Sequence, residues 1–180
     1  MEGIRSKGMV QVYTGNGKGK TTAALGLGLR ATGRGLRVKM VQFLKGTDTG
    51  ELHSVRYLGK NFEILRYQKT DKFIWSLSKA EKKQLEIDIQ EAWQWVQQIV
   101  EGNECQVLIL DEILAVVENN LLDIEQILTL IASRPFNMEI VLTGRSLPVQ
   151  ILEAADLVTE MNEVKHYFHE GVPARCGIEY

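Results

Sequence analysis

A segment rich in glycine and lysine constrains this chain more than any other feature of the sequence. It reads Thr14-Gly15-Asn16-Gly17-Lys18-Gly19-Lys20-Thr21-Thr22 and lies between an apolar β-type run and a helix-type stretch. Glycines let consecutive backbone N–H groups turn towards phosphate oxygens, and the N-terminus of the following helix adds partial positive charge. The segment therefore predicts a phosphate-binding loop at a strand-to-helix junction.

Two residues of this loop are assigned individual contacts. Lys20 is predicted to contact phosphate oxygens and Thr21 to ligate Mg²⁺ or Mn²⁺, as in the pattern G-x-x-x-x-G-K-[ST]. Thr14 departs from that pattern, because it stands where the first glycine is expected and a glycine follows one place later. We therefore expect the loop to hold a triphosphate in an unusual manner. The alternative is a glycine-rich turn without a ligand.

Apolar β-type runs alternate with helix-type stretches along the whole chain. Such alternation is typical of a mostly parallel sheet with helices on both faces. We predict strands over residues 9–13, 38–43, 62–66, 107–110, 139–142 and 157–161. The sequence thus predicts a single α/β domain over residues 1–180, with a central sheet of about six strands flanked by helices.

Two helices have clear start signals. The first begins at a capping box of Ser78 and Glu81 and ends at Gly102, and the second is capped by Asp123. The last stretch, residues 165–180, has no clear periodicity, so we expect irregular structure or a short hairpin there.

Positive charge and glycine are concentrated in the first third of the chain. The first 60 residues hold 11 Lys and Arg against 3 Asp and Glu, and 12 of the 16 glycines. The net charge of −2 argues against a general nucleic-acid binder, so this basic third predicts contact with a small anion. The longest apolar runs are far shorter than the roughly 18 residues that span a bilayer. We therefore expect no membrane contact. Cys105 and Cys176 match no redox or zinc spacing, so we expect a cytoplasmic protein.

Two carboxylates follow the apolar run at residues 107–110. Open parallel sheets place ligand sites at the carboxyl ends of their strands, so Asp111 is predicted to share a Mg²⁺ ion with Thr21. For Glu112 two roles remain open, namely metal contact or general base for an attacking water. The alternative for both carboxylates is capping of the next helix.

Three further polar residues follow other predicted strands at the same edge of the sheet. Arg145 ends the segment Thr143-Gly144-Arg145, and its cation is either a phosphate contact or an ordinary surface arginine. Gln42 and Lys45 follow the second strand, where they either orient a ligand or are exposed loop residues.

Phe73 and Trp75 are separated by one residue in the loop that precedes the capped helix. Large aromatic side chains on a loop near a site can close over a flat apolar ligand. Spacing alone favours packing in the core.

Taken together, these segments resemble one family, the P-loop corrinoid adenosyltransferases, that is, the cob(I)yrinic acid a,c-diamide adenosyltransferases. The match runs in order along nearly the whole chain. It covers Gly15 to Thr22, Val41-Gln42-Phe43-Leu44-Lys45-Gly46, Leu110-Asp111-Glu112, Thr143-Gly144-Arg145, Ala155-Asp156-Leu157-Val158-Thr159-Glu160, Lys165-His166, Gly171, Ala174-Arg175 and Gly177-Ile178-Glu179-Tyr180.

The resemblance implies a P-loop NTPase fold of RecA-like type. It also implies transfer of the 5′-deoxyadenosyl group of ATP to a Co(I) corrinoid, with release of triphosphate, in adenosylcobalamin biosynthesis or salvage. Co(I) is itself the nucleophile, so the protein mainly positions ATP and neutralises the leaving triphosphate through Lys20, Thr21 and Mg²⁺. The alternatives are a P-loop ATPase or kinase that uses Glu112 as base, and a non-catalytic, ATP-responsive module that binds corrinoid.

Phe73-Ile74-Trp75 resembles the Phe-x-Trp element of this family. The resemblance implies that both aromatics pack under the corrin and displace its lower axial ligand, which makes Co(II) easier to reduce. It also implies a homodimer and an electron donor such as a reduced flavoprotein. Several members carry a longer N-terminal segment that covers the active site of a partner subunit. About eight residues precede the first strand here, so the resemblance does not extend to that lid.

Overall fold

Six strands form one sheet in the structure, a computed structural model that describes residues 7–67 and 74–180. The strands are β1 (Val10–Thr14), β2 (Val38–Gln42), β3 (Phe62–Leu65), β4 (Val107–Asp111), β5 (Glu139–Thr143) and β6 (Leu157–Glu160). Their order across the sheet is β3-β2-β4-β5-β1-β6, and every pairing is parallel. The predicted α/β fold with a mostly parallel sheet of about six strands is therefore confirmed.

Helices connect the strands and cover the sheet. They are α1 (Lys20–Thr32), α2 (Gly50–Ser54), α3 (Lys79–Glu101), α4 (Ile113–Glu118), α5 (Ile124–Ser133) and α6 (Val149–Ala154). Ser78 and Glu81 form the capping box of α3, and Asp123 and Gln126 form a second box at the start of α5. Both predicted helix starts are confirmed, because these boxes pair backbone N–H groups that a helix start leaves without partners.

The structure adds one helix, α4, that the sequence did not predict, and it decides between the two expectations for residues 165–180. Helix α4 has no capping signal, because the residue before it, Glu112, has a φ of +62° and its side chain makes no capping hydrogen bond. Residues 165–180 contain a 3₁₀ turn at Tyr167–Glu170 and no strand. The hairpin alternative is therefore wrong, and the expectation of irregular structure is confirmed.

Apolar side chains pack against both faces of the sheet. On one face, Ala24 and Ala31 of α1 lie in a buried cluster with strand residues such as Met40. On the other face, α3, α4, α5 and α6 cover the strands, and Trp93 is the largest fully buried side chain. Burial of each large apolar side chain contributes about 1.5–3 kcal/mol. These two layers hold the strands in register and so fix the sheet edge on which the polar residues lie.

Both cysteines are free thiols in the structure. Cys105 is buried, which raises the pKa of its thiol to about 12, whereas Cys176 is exposed. Among the helices of the described residues, none combines the length and the apolar character needed to cross a membrane.

Candidate active site

The glycine-rich segment forms a loop between β1 and α1, as its spacing predicted. Gly15 and Gly19 have φ values of +97° and +121°, which residues with a Cβ rarely adopt. The Gly17 N–H donates to the carbonyl oxygen of Met161 at 2.7 Å, and a Cβ on Gly17 would lie 2.7 Å from that same oxygen. The loop therefore rests directly on the residue that follows β6, at a contact that only glycine allows.

Lys20 is buried inside this loop. Its Nζ donates to the carbonyl oxygens of Gly15 and Gly17 at 2.7 and 2.8 Å. Burial lowers the pKa of the Lys20 ammonium, and this shift is opposed by the negative charges of Glu112 and Asp111. The loop thus encloses a partly desolvated cation, and an anion entering the loop would interact with it strongly.

Thr14 explains why the loop departs from the usual pattern. Its side chain is buried, and its Oγ1 donates to the carbonyl oxygen of Arg145 at 2.9 Å. The Gly15 N–H donates to the same oxygen at 3.2 Å, so the start of the loop is tied to the turn that follows β5. The Arg145 side chain is exposed, and its positive charge lowers the pKa values of Lys20 and Glu112. Arg145 is therefore an exposed cation whose charge acts on the loop.

Asp111 is fully buried at the end of β4 and accepts four hydrogen bonds. Its Oδ1 accepts from the hydroxyls of Thr21 at 2.9 Å and Thr143 at 2.7 Å. Its Oδ2 accepts from Lys45 Nζ at 2.7 Å and from Gln42 Nε2 at 3.1 Å. Lys45 Nζ also lies 3.2 Å from Thr21 Oγ1. Gln42, Lys45, Thr21 and Asp111 therefore meet as one cluster, and the alternative that Gln42 and Lys45 are exposed loop residues is wrong.

This cluster is part of a polar row along the carboxyl edge of the sheet. Gln42 is paired with Asp111 in the register of β2 and β4. Thr143 is the last residue of β5, one position after the Leu110–Leu142 pair, and Arg66 directly follows β3, one position after the Val41–Leu65 pair. Arg66 Nε donates to Gln42 Oε1 at 2.7 Å. Sequence reasoning did not single out Arg66. The available signal was a cationic residue at the end of the predicted strand 62–66, next to the strand that carries Gln42.

Glu112 follows Asp111 of this row and lies in an environment that disfavours its charged carboxylate. Burial raises the pKa of its carboxyl group and Asp111 adds to the shift, whereas Lys45, Lys20 and Arg145 oppose it. Its left-handed backbone is uncommon for a residue other than glycine. The side chain makes no capping hydrogen bond to α4, so the helix-capping alternative is wrong for Glu112. Backbone strain and a disfavoured charge in one residue are typical of functional sites.

We expect the substitution Glu112→Gln to stabilise the protein at neutral pH. Because the folded-state pKa of Glu112 is raised, its contribution to stability is fully present below the unfolded-state pKa and is lost as the pH rises through the folded pKa. The neutral amide has no such loss. Urea unfolding should give Glu112→Gln a free energy of unfolding about 1 kcal/mol above wild type at pH 7.5. This advantage should shrink towards pH 4, and an advantage independent of pH would contradict the explanation.

The aromatic pair is only partly covered by the described residues. Phe73 lies outside them. Trp75 lies in a short 3₁₀ helix, Ile74–Ser76, and its side chain is 80% exposed, whereas Ile74 packs against the core. The core-packing alternative is therefore wrong for Trp75.

Comparison with known proteins identifies the family. Residues 6–180 match the family described as ATP:corrinoid adenosyltransferase BtuR/CobO/CobP. The chain belongs to this family. It is 36% identical to a protein named corrinoid adenosyltransferase from Escherichia coli (strain K12), over 97% of this chain and 86% of that protein. The family member from Pseudomonas aeruginosa with the same name is 35% identical over 97% of this chain and 84% of its own length. The resemblance drawn from the motifs is therefore confirmed.

A third relative of this chain comes from Salmonella typhimurium and is named corrinoid adenosyltransferase CobA. It is 35% identical over 97% of this chain and 86% of its own length. The family match over residues 6–180 includes the loop, the Asp111 cluster and the C-terminal segment.

Proposed function

We propose that this chain transfers the 5′-deoxyadenosyl group of ATP to the cobalt of a Co(I) corrinoid, in the synthesis or salvage of adenosylcobalamin. The Co(I) electron pair attacks C5′, a cobalt–carbon bond forms, and the C5′–O bond breaks with its electron pair leaving on inorganic triphosphate. The observation that carries this proposal is the Lys20 ammonium inside the glycine loop, beside the Asp111 cluster, in a member of this family.

The proposed work of the protein is mainly to hold the triphosphate. Residues 15–22 supply backbone N–H groups and Lys20 supplies a desolvated cation, while Arg145 adds positive charge at the rim of the loop. Fixed donors and cations that face a leaving group stabilise the charge that develops on it. Because Co(I) is the nucleophile, this reaction needs no base that activates water. We therefore assign Glu112 to the metal site and not to general-base catalysis.

Thr21, Asp111 and Glu112 are the residues that we propose for a Mg²⁺ or Mn²⁺ site. Thr21 Oγ1 and Asp111 Oδ1 lie 2.9 Å apart, and hydroxyl and carboxylate oxygens are donors that these hard cations prefer. Lys45 Nζ already bridges Asp111 Oδ2 and Thr21 Oγ1, so this position accommodates positive charge. The donor set therefore fits such an ion, which would neutralise charge on the triphosphate.

Product identity tests the proposed function. Phosphorus NMR of ATP with Mg²⁺ and the protein would be recorded with and without a chemically reduced Co(I) corrinoid. Triphosphate that appears only with the corrinoid supports adenosyl transfer. ADP and phosphate formed regardless of corrinoid would instead indicate an ATPase with Glu112 as base, and no turnover would indicate a binding module.

For Trp75 and Phe73 we propose contact with the corrin ring and displacement of its lower axial ligand. The exposed Trp75 indole supports this role, because a large apolar side chain on the surface is the kind of group that a large, flat ligand contacts. Loss of the axial ligand favours reduction of Co(II) to Co(I).

The substitution Trp75→Ala should therefore act on one cobalt state only. We expect a loss of about tenfold or more in turnover that starts from Co(II) with a reductase, and little loss with chemically reduced Co(I). Tyr57→Ala is the control, because Tyr57 is another highly exposed aromatic residue and has no proposed role. Equal losses with both cobalt states would contradict the role of Trp75.

We also propose the partners that this reaction requires. Co(I) must be generated by an electron donor, for which a reduced flavoprotein of the cytoplasm is suitable. We further propose that the active form is a homodimer, which size-exclusion chromatography with light scattering would test.

A further inference from the structure

Arg66 directly follows β3, is mostly shielded from solvent and donates to four acceptors at once. Its side chain is 10% exposed. Nε donates to Gln42 Oε1 at 2.7 Å, and the two terminal nitrogens donate to the Thr47 carbonyl oxygen, to Thr49 Oγ1 and, at 3.1 Å, to Glu51 Oε1. A planar guanidinium with its donors in a fixed fork suits such a set of contacts, and no other side chain offers this geometry.

The first consequence concerns the amide of Gln42. Its oxygen accepts from Arg66, while its Nε2 donates to Asp111 Oδ2 and to Glu51 Oε1, each at 3.1 Å. The opposite amide orientation would direct the oxygen, an acceptor, at two carboxylates, which are also acceptors. It would direct the NH₂ group, a donor, at the guanidinium, which is also a donor. Arg66 therefore selects the one orientation in which Gln42 donates to Asp111.

The second consequence concerns the segment 43–49, which joins β2 to α2. Arg66 binds this segment at two residues near its end, Thr47 and Thr49. Lys45 lies in the same segment and places its Nζ 2.7 Å from Asp111 Oδ2. The two donors to Asp111 Oδ2, Gln42 and Lys45, therefore both depend on contacts that Arg66 makes.

We propose that Arg66 is a positioning residue for the metal–triphosphate end of the site, acting through Gln42 and the segment 43–49 on Asp111. The proposal rests on the proposed function in one respect, namely that Asp111 helps to bind a divalent ion together with ATP. It assigns Arg66 no contact with the corrinoid, so its effect should be confined to the nucleotide half of the reaction.

Binding of Mn²⁺ in the presence of ATP, followed by electron paramagnetic resonance, tests the proposal without corrinoid or turnover. Substitution of residues that orient metal ligands lowers metal affinity about 10- to 100-fold, and we expect Arg66→Met to weaken Mn²⁺–ATP binding by that factor. The KM for the Co(I) corrinoid should be unchanged. Arg56→Met is the matched control, because Arg56 is exposed, and it should bind Mn²⁺–ATP like wild type.

A double-mutant cycle with Gln42→Leu separates positioning from general damage. If Arg66 acts through Gln42, the double variant should bind Mn²⁺–ATP much more tightly than the product of the two single losses predicts. Strictly multiplicative losses would overturn the proposal, as would wild-type affinity in Arg66→Met.

Arg66→Lys keeps the test informative if Arg66→Met does not fold. Lysine preserves a cation beside Glu51 but cannot hold Gln42 and the segment 43–49 together. We therefore expect a loss of about tenfold in Mn²⁺–ATP affinity with an unchanged circular dichroism spectrum, and wild-type affinity would overturn the proposal. If phosphorus NMR showed ADP instead of triphosphate, the proposed function would fail, whereas the Mn²⁺–ATP result for Arg66 would still stand.

Discussion

Replacing Lys20 by alanine is expected to abolish adenosyl transfer, with a loss in turnover of at least about 10²- to 10³-fold. Removal of a single preorganised donor from developing charge already costs this much in kcat. Lys20 carries a full charge and is enclosed by the loop through the carbonyl oxygens of Gly15 and Gly17. Release of triphosphate from ATP, with chemically reduced Co(I) corrinoid as acceptor, measures the loss.

Two further variants make this result specific. Lys60→Ala removes an exposed lysine after α2 and should retain wild-type turnover. Lys20→Arg keeps the charge but has a bulkier head group than the buried position accommodates, so we expect it to be inactive as well. Wild-type turnover in Lys20→Ala would contradict the site that we propose.

Removal of the Asp111 carboxylate is expected to have the largest effect on stability. Asp111→Ala leaves Lys45 without its counter-charge and deprives Thr21, Thr143 and Gln42 of their common acceptor. Breaking a buried ion pair by removing one partner costs about 3–5 kcal/mol, so the free energy of unfolding should fall by that amount. Urea unfolding measures the change, and Mn²⁺ binding in the presence of ATP should be lost in the same variant.

Asp88→Ala is the matched control for this prediction. Asp88 is also buried, but it accepts a hydrogen bond from Gln84 on the same helix and lies in α3, outside the polar row. We expect a smaller loss of stability, about 1–2 kcal/mol, and unchanged Mn²⁺–ATP binding. Equal losses in the two variants would mean that the Asp111 cluster contributes no more to stability and Mn²⁺–ATP binding than Asp88 does.

The sequence predicted those features that depend on local order along the chain. The strands are short β-type runs rich in apolar residues, the helix starts at Ser78 and Asp123 carry capping boxes, and the phosphate loop follows from glycine spacing. In each case the chemistry that determines the structure lies within a few residues, so one window of sequence contains it.

The remainder of the site depends on strand order, which no local window contains. Arg66 reaches Gln42 because β3 lies beside β2, and Gln42 reaches Asp111 because β2 lies beside β4. The sequence placed Gln42 and Asp111 at one edge but gave neither their distance nor the part played by Arg66. Helix α4 was missed for a related reason, since it follows Glu112, whose left-handed backbone no capping rule predicts.

The contact between the phosphate loop and Met161 links the affinity of the loop for a ligand to local unfolding of the edge strand β6. β6 is the outermost strand beside β1, all four of its residues are exposed, and the loop lies on Met161 immediately after it. Edge strands of this kind open by local unfolding more readily than the centre of a sheet. A conformer with β6 detached loses the support under Gly17, so it binds a ligand in the loop less well. By linkage, a ligand in the loop suppresses that opening, and amide hydrogen exchange in β6 becomes a reporter of nucleotide occupancy.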